Sequence, residues 1–234
     1  MPSLRRLALP ALLLPVLAAL PLALAGPAAA DVTGTASTPD VVLYDHCQQH
    51  QIAYDVVVSP GTTLWRLEVQ VADPQGVASE GTVLNSSAGA ATSGTVPVTF
   101  CGSEQPGTWT VRSTGFYEVL PALQIPFTLP ATTFEVRPAA TRTTLAQRSL
   151  GHGRHRLDTR VLRQDERGFE KSDGVTVRLE QLVHGEWRTL RGTRQTTVHG
   201  RTVTTLTGRP GTKVRAVVPA RNNYAASTSR PVRL

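Results

Sequence analysis

Residues 174–190, GVTVRLEQLVHGEWRTL, decide the fold class of this sequence. Apolar and polar residues alternate along the first part of the stretch, which is the period of a β-strand with one buried face. The apolar residues are Val175, Val177, Leu179 and Val183. The pair His184-Gly185 then joins LEQLV to EWRTL, and such a two-residue connection needs a first residue that tolerates positive φ, with Gly favoured second. The stretch therefore predicts a β-hairpin.

The same pattern recurs in the rest of residues 138–234, which we call the second half. One predicted strand has an inward face formed by His155, Leu157, Thr159 and Val161. A second hairpin is predicted where His199-Gly200 joins QTTV to RTVTTL. Three of the six histidines immediately precede glycine: His152, His184 and His199. We predict that these three are turn residues and not metal ligands or catalytic bases.

Residues 31–137, which we call the first half, show the same alternation. Its clearest strand carries Trp65, Leu67, Val69 and Val71 at every second position. Turn chemistry of the Pro-Gly and Asp-Pro kind separates the short strands, as in SPGT, DPQG and EQPGT. Trp65 and Trp109 fall at inward positions, so we predict that both belong to the core. The fold class predicted for the whole chain is all-β, with β-sandwich architecture.

The second half resembles a known family of domains. GVTVRLEQLVHGEWRTL, TTVHGRTVTTL, GTKVRAVVPA and NNYAASTSRPVRL together resemble the immunoglobulin-like sandwich repeats of secreted and surface proteins from high-GC Gram-positive bacteria. The resemblance covers about residues 141–234. The first half resembles this class more loosely, through EQPGTWTV with Trp109. The resemblance implies two tandem immunoglobulin-like domains that act as non-catalytic spacers or binding modules.

The first thirty residues have the pattern of a secretory signal peptide. Arg5 and Arg6 precede an apolar run from Leu7 to Leu24, and Ala28-Ala29-Ala30 forms a small-residue cleavage site. We expect cleavage after Ala30 and secretion of a product that has no transmembrane anchor. The mature chain is expected outside the cell, free or associated with the cell wall.

The charge of the mature sequence changes sign near residue 137. Residues 31–137 carry ten acidic residues against three arginines, a net charge of −7. Residues 138–234 carry nineteen basic residues against seven acidic ones, a net charge of +12. We therefore predict three parts: a signal peptide at 1–30, an acidic immunoglobulin-like domain at 31–137 and a basic one at 138–234.

The two cysteines, Cys47 and Cys101, are expected to form a disulfide, since the chain is predicted to enter an oxidising compartment. Asp45, His46 and His50 lie close to Cys47 and could suggest a metal site. A bridged cysteine provides no thiolate, however, and His46 and His50 would lie roughly 13 Å apart on an extended strand. We expect no metal here, and a bridge that pins a loop or an edge of the sheet.

The sequence contains no motif of a known catalytic site. Gly-x-Ser-x-Gly, His-Glu-x-x-His and a glycine-rich phosphate loop are all missing, and no cofactor is implied. We expect a non-enzymatic protein. An unrecognised secreted hydrolase or metal-dependent enzyme stays as an alternative, because a catalytic triad is assembled in space.

Four arginines on or next to one predicted strand are the candidate binding residues: Arg154, Arg156, Arg160 and Arg163. A basic domain attracts anionic polymers, since each neutralised charge releases a counterion. The expected partner is an anionic cell-wall polymer or an envelope protein, and we do not expect sequence-specific nucleic-acid binding. The positive charge has two alternative origins: an arginine content that merely reflects base composition, and docking of the basic domain onto the acidic one.

Trp187 and an acidic loop are two further candidate sites in the second half. Trp187 lies between Glu186 and Arg188 on a predicted hairpin strand, and it is the candidate for stacking on a sugar ring in an alternative role as a carbohydrate- or protein-binding module. The acidic loop at 164–174 could attract calcium, but Arg167 and Lys171 are interleaved with its carboxylates and oppose a divalent ion.

Overall fold

The computed structural model describes residues 32–120 and 123–234, and this part of the chain contains strands but no α-helix. The predicted all-β class is therefore confirmed. The signal peptide predicted at 1–30 lies outside the described residues. No helix in the described part is long and apolar enough to cross a membrane.

The described part of the first half contains eight strands and one 3-10 turn, at Ser86–Ala88. The strands are β1 (Thr33–Ser37), β2 (Val41–Leu43), β3 (Gln48–Val57), β4 (Leu64–Ala72), β5 (Ala78–Asn85), β6 (Ser93–Phe100), β7 (Gly107–Glu118) and β8 (Gln124–Pro138). One sheet has the order β1-β3-β6 and the other the order β2-β8-β7-β4-β5, in which β2 runs parallel to β8.

Both sheets of the first half contribute to one apolar core, which is consistent with a β-sandwich. Trp65 and Trp109 are 4% and 1% exposed, so the prediction that both are core residues is confirmed. The predicted inward residues Leu67, Val69 and Val71 of β4 are also buried.

The predicted disulfide between Cys47 and Cys101 is confirmed. Cys47 immediately precedes β3 and Cys101 immediately follows β6, two neighbouring strands of one sheet. The bridge therefore pins the ends of adjacent strands and does not join facing sheets, in line with the expectation that it holds a loop or an edge.

The second half contains ten strands. They are β9 (Thr141–Gly151), β10 (Arg154–Asp165), β11 (Gly168–Lys171), β12 (Thr176–Val183), β13 (Glu186–Thr189), β14 (Gln195–Thr196), β15 (Arg201–Thr207), β16 (Lys213–Val218), β17 (Ser227–Thr228) and β18 (Val232–Arg233). In one sheet β10 is central, with β9 along one edge and β15 and β11 along the other. In the second sheet β12 pairs with β13, β14 and β16, and β16 pairs with β17 and β18.

These two sheets share a second apolar core, to which β10, β12 and β16 all contribute. It includes Leu157, Val161, Val175, Val177, Leu179, Val214, Ala216, Val218 and Tyr224. Val136 is the last described residue of the first core. The chain therefore passes from the first core to the second close to residue 137, where the charge changes sign. The division into domains at 31–137 and 138–234 stays a prediction.

The three histidines that precede glycine occupy turns, as predicted. His152, His184 and His199 have φ values of 52°, 52° and 51°, and they are the non-glycine residues with positive φ in the described part of the chain. Val183 pairs with Glu186 across the His184 turn, so the first predicted hairpin is confirmed. At the His199 turn only an isolated bridge joins Val198 to Arg201. The hairpin predicted between QTTV and RTVTTL is wrong, because β14 pairs with β12 and β15 pairs with β10, so the chain passes from one sheet to the other at this turn.

The connection between β8 and β9 is short and hydrogen-bonded on both sides. It consists of Ala139 and Ala140, and Ala139 is fully buried. The Ala139 N–H donates to the carbonyl of Leu43 at 3.3 Å, and its carbonyl accepts from the N–H of Ala225 at 2.8 Å. The backbone at this point is thus bonded to both halves of the chain.

Side chains also link the two halves next to the disulfide. Asp45 forms an ion pair with Arg163 of β10 and accepts a hydrogen bond from the Asn223 side chain at 2.8 Å. His46 lies 3.4 Å from Glu166, between Nε2 and Oε1. These contacts join the loop before Cys47 to the β10–β11 hairpin.

Candidate anion-binding face

Alternation along β10 places its charged residues on one side of the sheet. The predicted inward residues His155, Leu157, Thr159 and Val161 are buried, which confirms the predicted face. The residues between them point outward, and they are Arg154, Arg156, Asp158 and Arg160. Consecutive outward positions of one strand are about 6.8 Å apart, so their charges form a regular row.

Strand register adds four more cations to the same side of the sheet. Residues directly opposite one another on neighbouring strands share a face. Arg148 of β9 lies opposite Arg156, and Arg201 of β15 lies opposite Arg160. Arg142 of β9 and Lys171 of β11 both lie opposite Leu162 of β10. We call this surface the basic face, and its cations are Arg142, Arg148, Arg154, Arg156, Arg160, Lys171 and Arg201.

A single carboxylate, Asp158, lies among the outward residues that the structure describes on these four strands. The Arg201 Nε donates to its Oδ1 at 2.8 Å, and a second nitrogen of Arg201 bonds its other oxygen. The hydrogen bond from Arg201 lowers the pKa of Asp158, and the positive charges of Arg201, Arg160 and Arg156 act in the same direction, while partial burial opposes them. With seven cations and one carboxylate, the basic face has an excess of six positive charges.

Two pairs of arginines lie directly opposite each other across strands: Arg148 with Arg156, and Arg160 with Arg201. Like charges in this position destabilise a sheet. Among the described residues, Arg148, Arg156 and Arg160 have no ion pair or side-chain hydrogen bond that would offset the repulsion. The two opposed pairs therefore act against the stability of the folded chain, and the attraction of Asp158 for Arg156, Arg160 and Arg201 offsets part of the repulsion.

Reversing one of these charges should stabilise the protein. Arg148→Glu places a carboxylate opposite Arg156, and we expect the free energy of unfolding at low salt to rise by about 1 kcal/mol. Urea unfolding at low and high salt measures the change, which should shrink as salt screens the pair. Arg148→Gln, which only removes the repulsion, should give a smaller gain. A loss of stability in both variants would contradict repulsion between Arg148 and Arg156.

Arg201 lines two of the grooves that open on the basic face. One has a volume of about 410 Å³ and lies beside Arg160 and Lys171. The other has a volume of about 330 Å³ and lies beside Arg148 and Arg156. Arg201 therefore separates two recesses, each bordered by cations from different strands.

Arg163, the fourth arginine predicted to bind a polymer, points away from the basic face. Its side chain is 12% exposed and is engaged with Asp45 of the first half. Burial lowers the pKa of its guanidinium. The structure brings Arg154, Arg156 and Arg160 together on the basic face. Arg163 instead belongs to the contact between the two halves, through Asp45.

Trp187, the predicted sugar-stacking residue, has a cation over its ring. The Arg215 guanidinium lies 4.2 Å from the ring centroid. Two nitrogens of Arg215, at 2.9 and 2.8 Å, bond the buried carboxylate of Glu180, which holds the guanidinium in place. One face of the indole is thus occupied by the protein itself, through a cation–π contact.

The acidic loop at 164–174 does not gather its carboxylates. Glu170 belongs to β11 and lies opposite Arg163, while the Asp173 carboxylate accepts a hydrogen bond from the N–H of Gly200 at 2.8 Å. Across residues 32–120 and 123–234, no group of three His, Cys, Asp or Glu side chains comes together in the way a metal ion needs. His50, the other histidine near the disulfide, packs edge-on against Phe100, and burial lowers its pKa.

Sequence reasoning missed Arg142, Arg148, Lys171 and Arg201. Arg142 and Arg148 belong to TRTTLAQR, where the inward positions are Thr143, Leu145 and Gln147. Only one of these three is strongly apolar, so the alternation that would assign an outward face is weak. Arg201 and Lys171 join the face only through strand pairing.

Comparison with known proteins adds no family to these observations. No protein-family model matches the chain, and no curated protein matches it.

Proposed function

We propose that this chain is a secreted, non-enzymatic protein of two immunoglobulin-like β-sandwich domains, and that it binds an anionic polymer of the cell envelope or matrix through the basic face. One observation carries the proposal: seven cations from four strands share a surface with the single carboxylate of Asp158. A polyanion that lies across this surface would neutralise the repulsion between the opposed arginines and release counterions.

The placement of the cations favours this function over a compositional origin. An arginine-rich composition alone would be expected to pair its charge with nearby acids. The other sheet of the second half shows this pairing, between Arg178 or Arg215 and Glu180 and between Arg188 and Glu186. On the basic face Arg148, Arg154, Arg156 and Arg160 are exposed, and no described carboxylate forms an ion pair with them. None of the seven cations of the basic face forms an ion pair with a described carboxylate of the first half either, so docking between the halves does not account for them.

The fold and the disulfide support the remaining parts of the proposal. Two pairs of sheets around two cores are consistent with β-sandwiches, and the resemblance to bacterial immunoglobulin-like repeats favours a binding module. The disulfide suits an oxidising compartment, as secretion would provide. The cation over Trp187 makes this residue a poorer sugar platform, which weakens the carbohydrate alternative.

Co-sedimentation with purified cell walls tests the proposed function. Mature protein should be retained at low salt by walls that carry their anionic polymers, and released when salt is raised or the polymers are stripped. The variant Arg148→Gln/Arg154→Gln/Arg156→Gln should bind at least tenfold more weakly. Its slope of log affinity against log salt should fall by about 2, since each phosphate-type contact contributes roughly 0.7.

The matched control removes three exposed arginines from other parts of the second half: Arg191→Gln/Arg194→Gln/Arg209→Gln. It has the same net charge as the first variant, so it should retain most of the binding only if the basic face is the site. Equal losses in the two variants would mean that binding depends only on the net charge of the protein. If the unaltered protein is retained under no salt condition, the proposed function is refuted.

A further inference from the structure

The groove of the basic face beside Arg160 and Lys171 has the features of a site for a single anionic group. It has a volume of about 410 Å³ and lies between β10, β11 and the turn at Gly200, so we call it the Gly200 groove. Its lining residues are Thr144, Arg160, Leu162, Lys171, His199, Gly200 and Arg201. They bring three cations and a histidine to one recess, and none of them is acidic.

The floor of the groove is fixed by the backbone. The Gly200 carbonyl accepts from the N–H of Val161 at 2.8 Å, and the Gly200 N–H donates to Asp173 at 2.8 Å. A Cβ added to Gly200 would lie 2.8 Å from the Cβ of Lys171, closer than side chains approach. Only glycine lets the turn pack directly against β11, and this packing holds Lys171 at the edge of the groove.

The three cations differ in what they can offer to a ligand. The Arg201 guanidinium bonds both oxygens of Asp158, whereas Arg160 and Lys171 have no ion pair or side-chain hydrogen bond with the described residues. The planar guanidinium of Arg160, whose N–H groups form a fork, is therefore available to donate two parallel hydrogen bonds. Lys171 adds a compact point charge at the same recess.

A phosphate group suits this combination. In a phosphodiester the two anionic oxygens and the two ester oxygens are arranged tetrahedrally, so the group can accept both bonds of the Arg160 fork and still contact Lys171 from outside the guanidinium plane. The two oxygens of a carboxylate lie in one plane with their carbon, so they serve donors in that plane best. Repeated phosphates along a chain could then continue onto the row of arginines on β10, whose outward positions are about 6.8 Å apart.

The face offers little to the bases of a nucleic acid. Single-stranded nucleic acids are bound by cations together with aromatic rings on which the bases stack. Phe169 is the only Phe, Tyr or Trp on β9, β10, β11 and β15, and the Arg142 guanidinium covers it at 3.7 Å from the ring centroid. A phosphate polymer without bases therefore fits this surface better.

We infer that the Gly200 groove binds a phosphate group, and that through it the basic face selects polyol-phosphate polymers over carboxylate polymers of equal charge. The inference rests on the proposed function, because it specifies the polymer class that the face recognises. Its residues are Arg160, which bonds the phosphate through its fork, and Lys171, which adds charge beside it.

Titration calorimetry with poly(glycerol phosphate) and with polyglutamate of the same number of charges tests the inference on the mature chain. We expect the phosphate polymer to bind at least tenfold more tightly at the same salt. Arg160→Lys keeps the charge but removes the fork, so it should reduce this preference to threefold or less. Arg194→Lys is the matched control outside the basic face, and it should leave the preference unchanged.

The double variant Arg160→Gln/Lys171→Gln should lose about tenfold in affinity for the phosphate polymer and much less for polyglutamate. Circular dichroism would verify that each variant keeps the fold. An equal affinity of the unaltered protein for both polymers would overturn the groove inference and leave the proposed function standing. Binding of neither polymer would overturn both, and tighter binding of an oligothymidylate with matched charge would assign the face to nucleic acid.

Discussion

Replacing Cys47 and Cys101 together by alanine should lower the free energy of unfolding by about 4 kcal/mol. The disulfide spans 54 residues of sequence, and in the chain-entropy model a loop of this length loses that much conformational freedom in the unfolded state. Urea unfolding followed by tryptophan fluorescence measures the change. The experiment is best done in a Trp187→Phe background, because the remaining tryptophans then both lie in the core of the first half.

The unaltered protein provides the control, because reduction of its disulfide should lower its unfolding midpoint to that of the double variant. A loss below 1 kcal/mol, with an unchanged dependence on urea, would mean that the loop is held closed in the unfolded state by other means.

Trp109→Ala should be about as damaging, with a loss of about 3–5 kcal/mol in the free energy of unfolding. The indole ring is 1% exposed and packs edge-on against Phe100, with 5.2 Å between ring centroids. Its N–H donates to the carbonyl of Gln105 at 2.8 Å, so the substitution removes a hydrogen bond as well as leaving a cavity. Equilibrium unfolding followed by far-ultraviolet circular dichroism measures the loss without depending on the missing fluorophore.

Trp187→Ala is the matched control for this substitution. Trp187 is only half-buried, and its main described ring contact is the guanidinium of Arg215. Its removal should therefore lower stability by about 1 kcal/mol or less. Similar losses for the two tryptophans would contradict the assignment of Trp109 to the core and Trp187 to the surface.

Local alternation made much of the fold predictable. Trp65 to Val71 in β4 and His155 to Val161 in β10 show which side faces the core, because a strand repeats every two residues. The His-Gly pairs marked turns, because they combine a residue tolerant of positive φ with glycine. The two cysteines could be paired from their number alone, given an oxidising compartment.

Strand partners could not be predicted in the same way. Arg148 and Arg201 meet the arginines of β10 only because of pairing between separate segments, and no local pattern encodes that register. Arg163 looked like a member of the same row. Arg163 has an odd residue number, whereas Arg156 and Arg160 have even numbers, so its side chain lies on the opposite side of β10. Its partner Asp45 lies 118 residues away in sequence.

The buried connection at Ala139 has a mechanical consequence. Its backbone bonds to Leu43 on one side and to Ala225 on the other, and Arg163 with Asp45 adds a second point of attachment near the disulfide. Two points of attachment restrict rotation of one half relative to the other more than a single flexible linker would. A polymer bound at the basic face, as proposed, would therefore also fix the orientation of the first half.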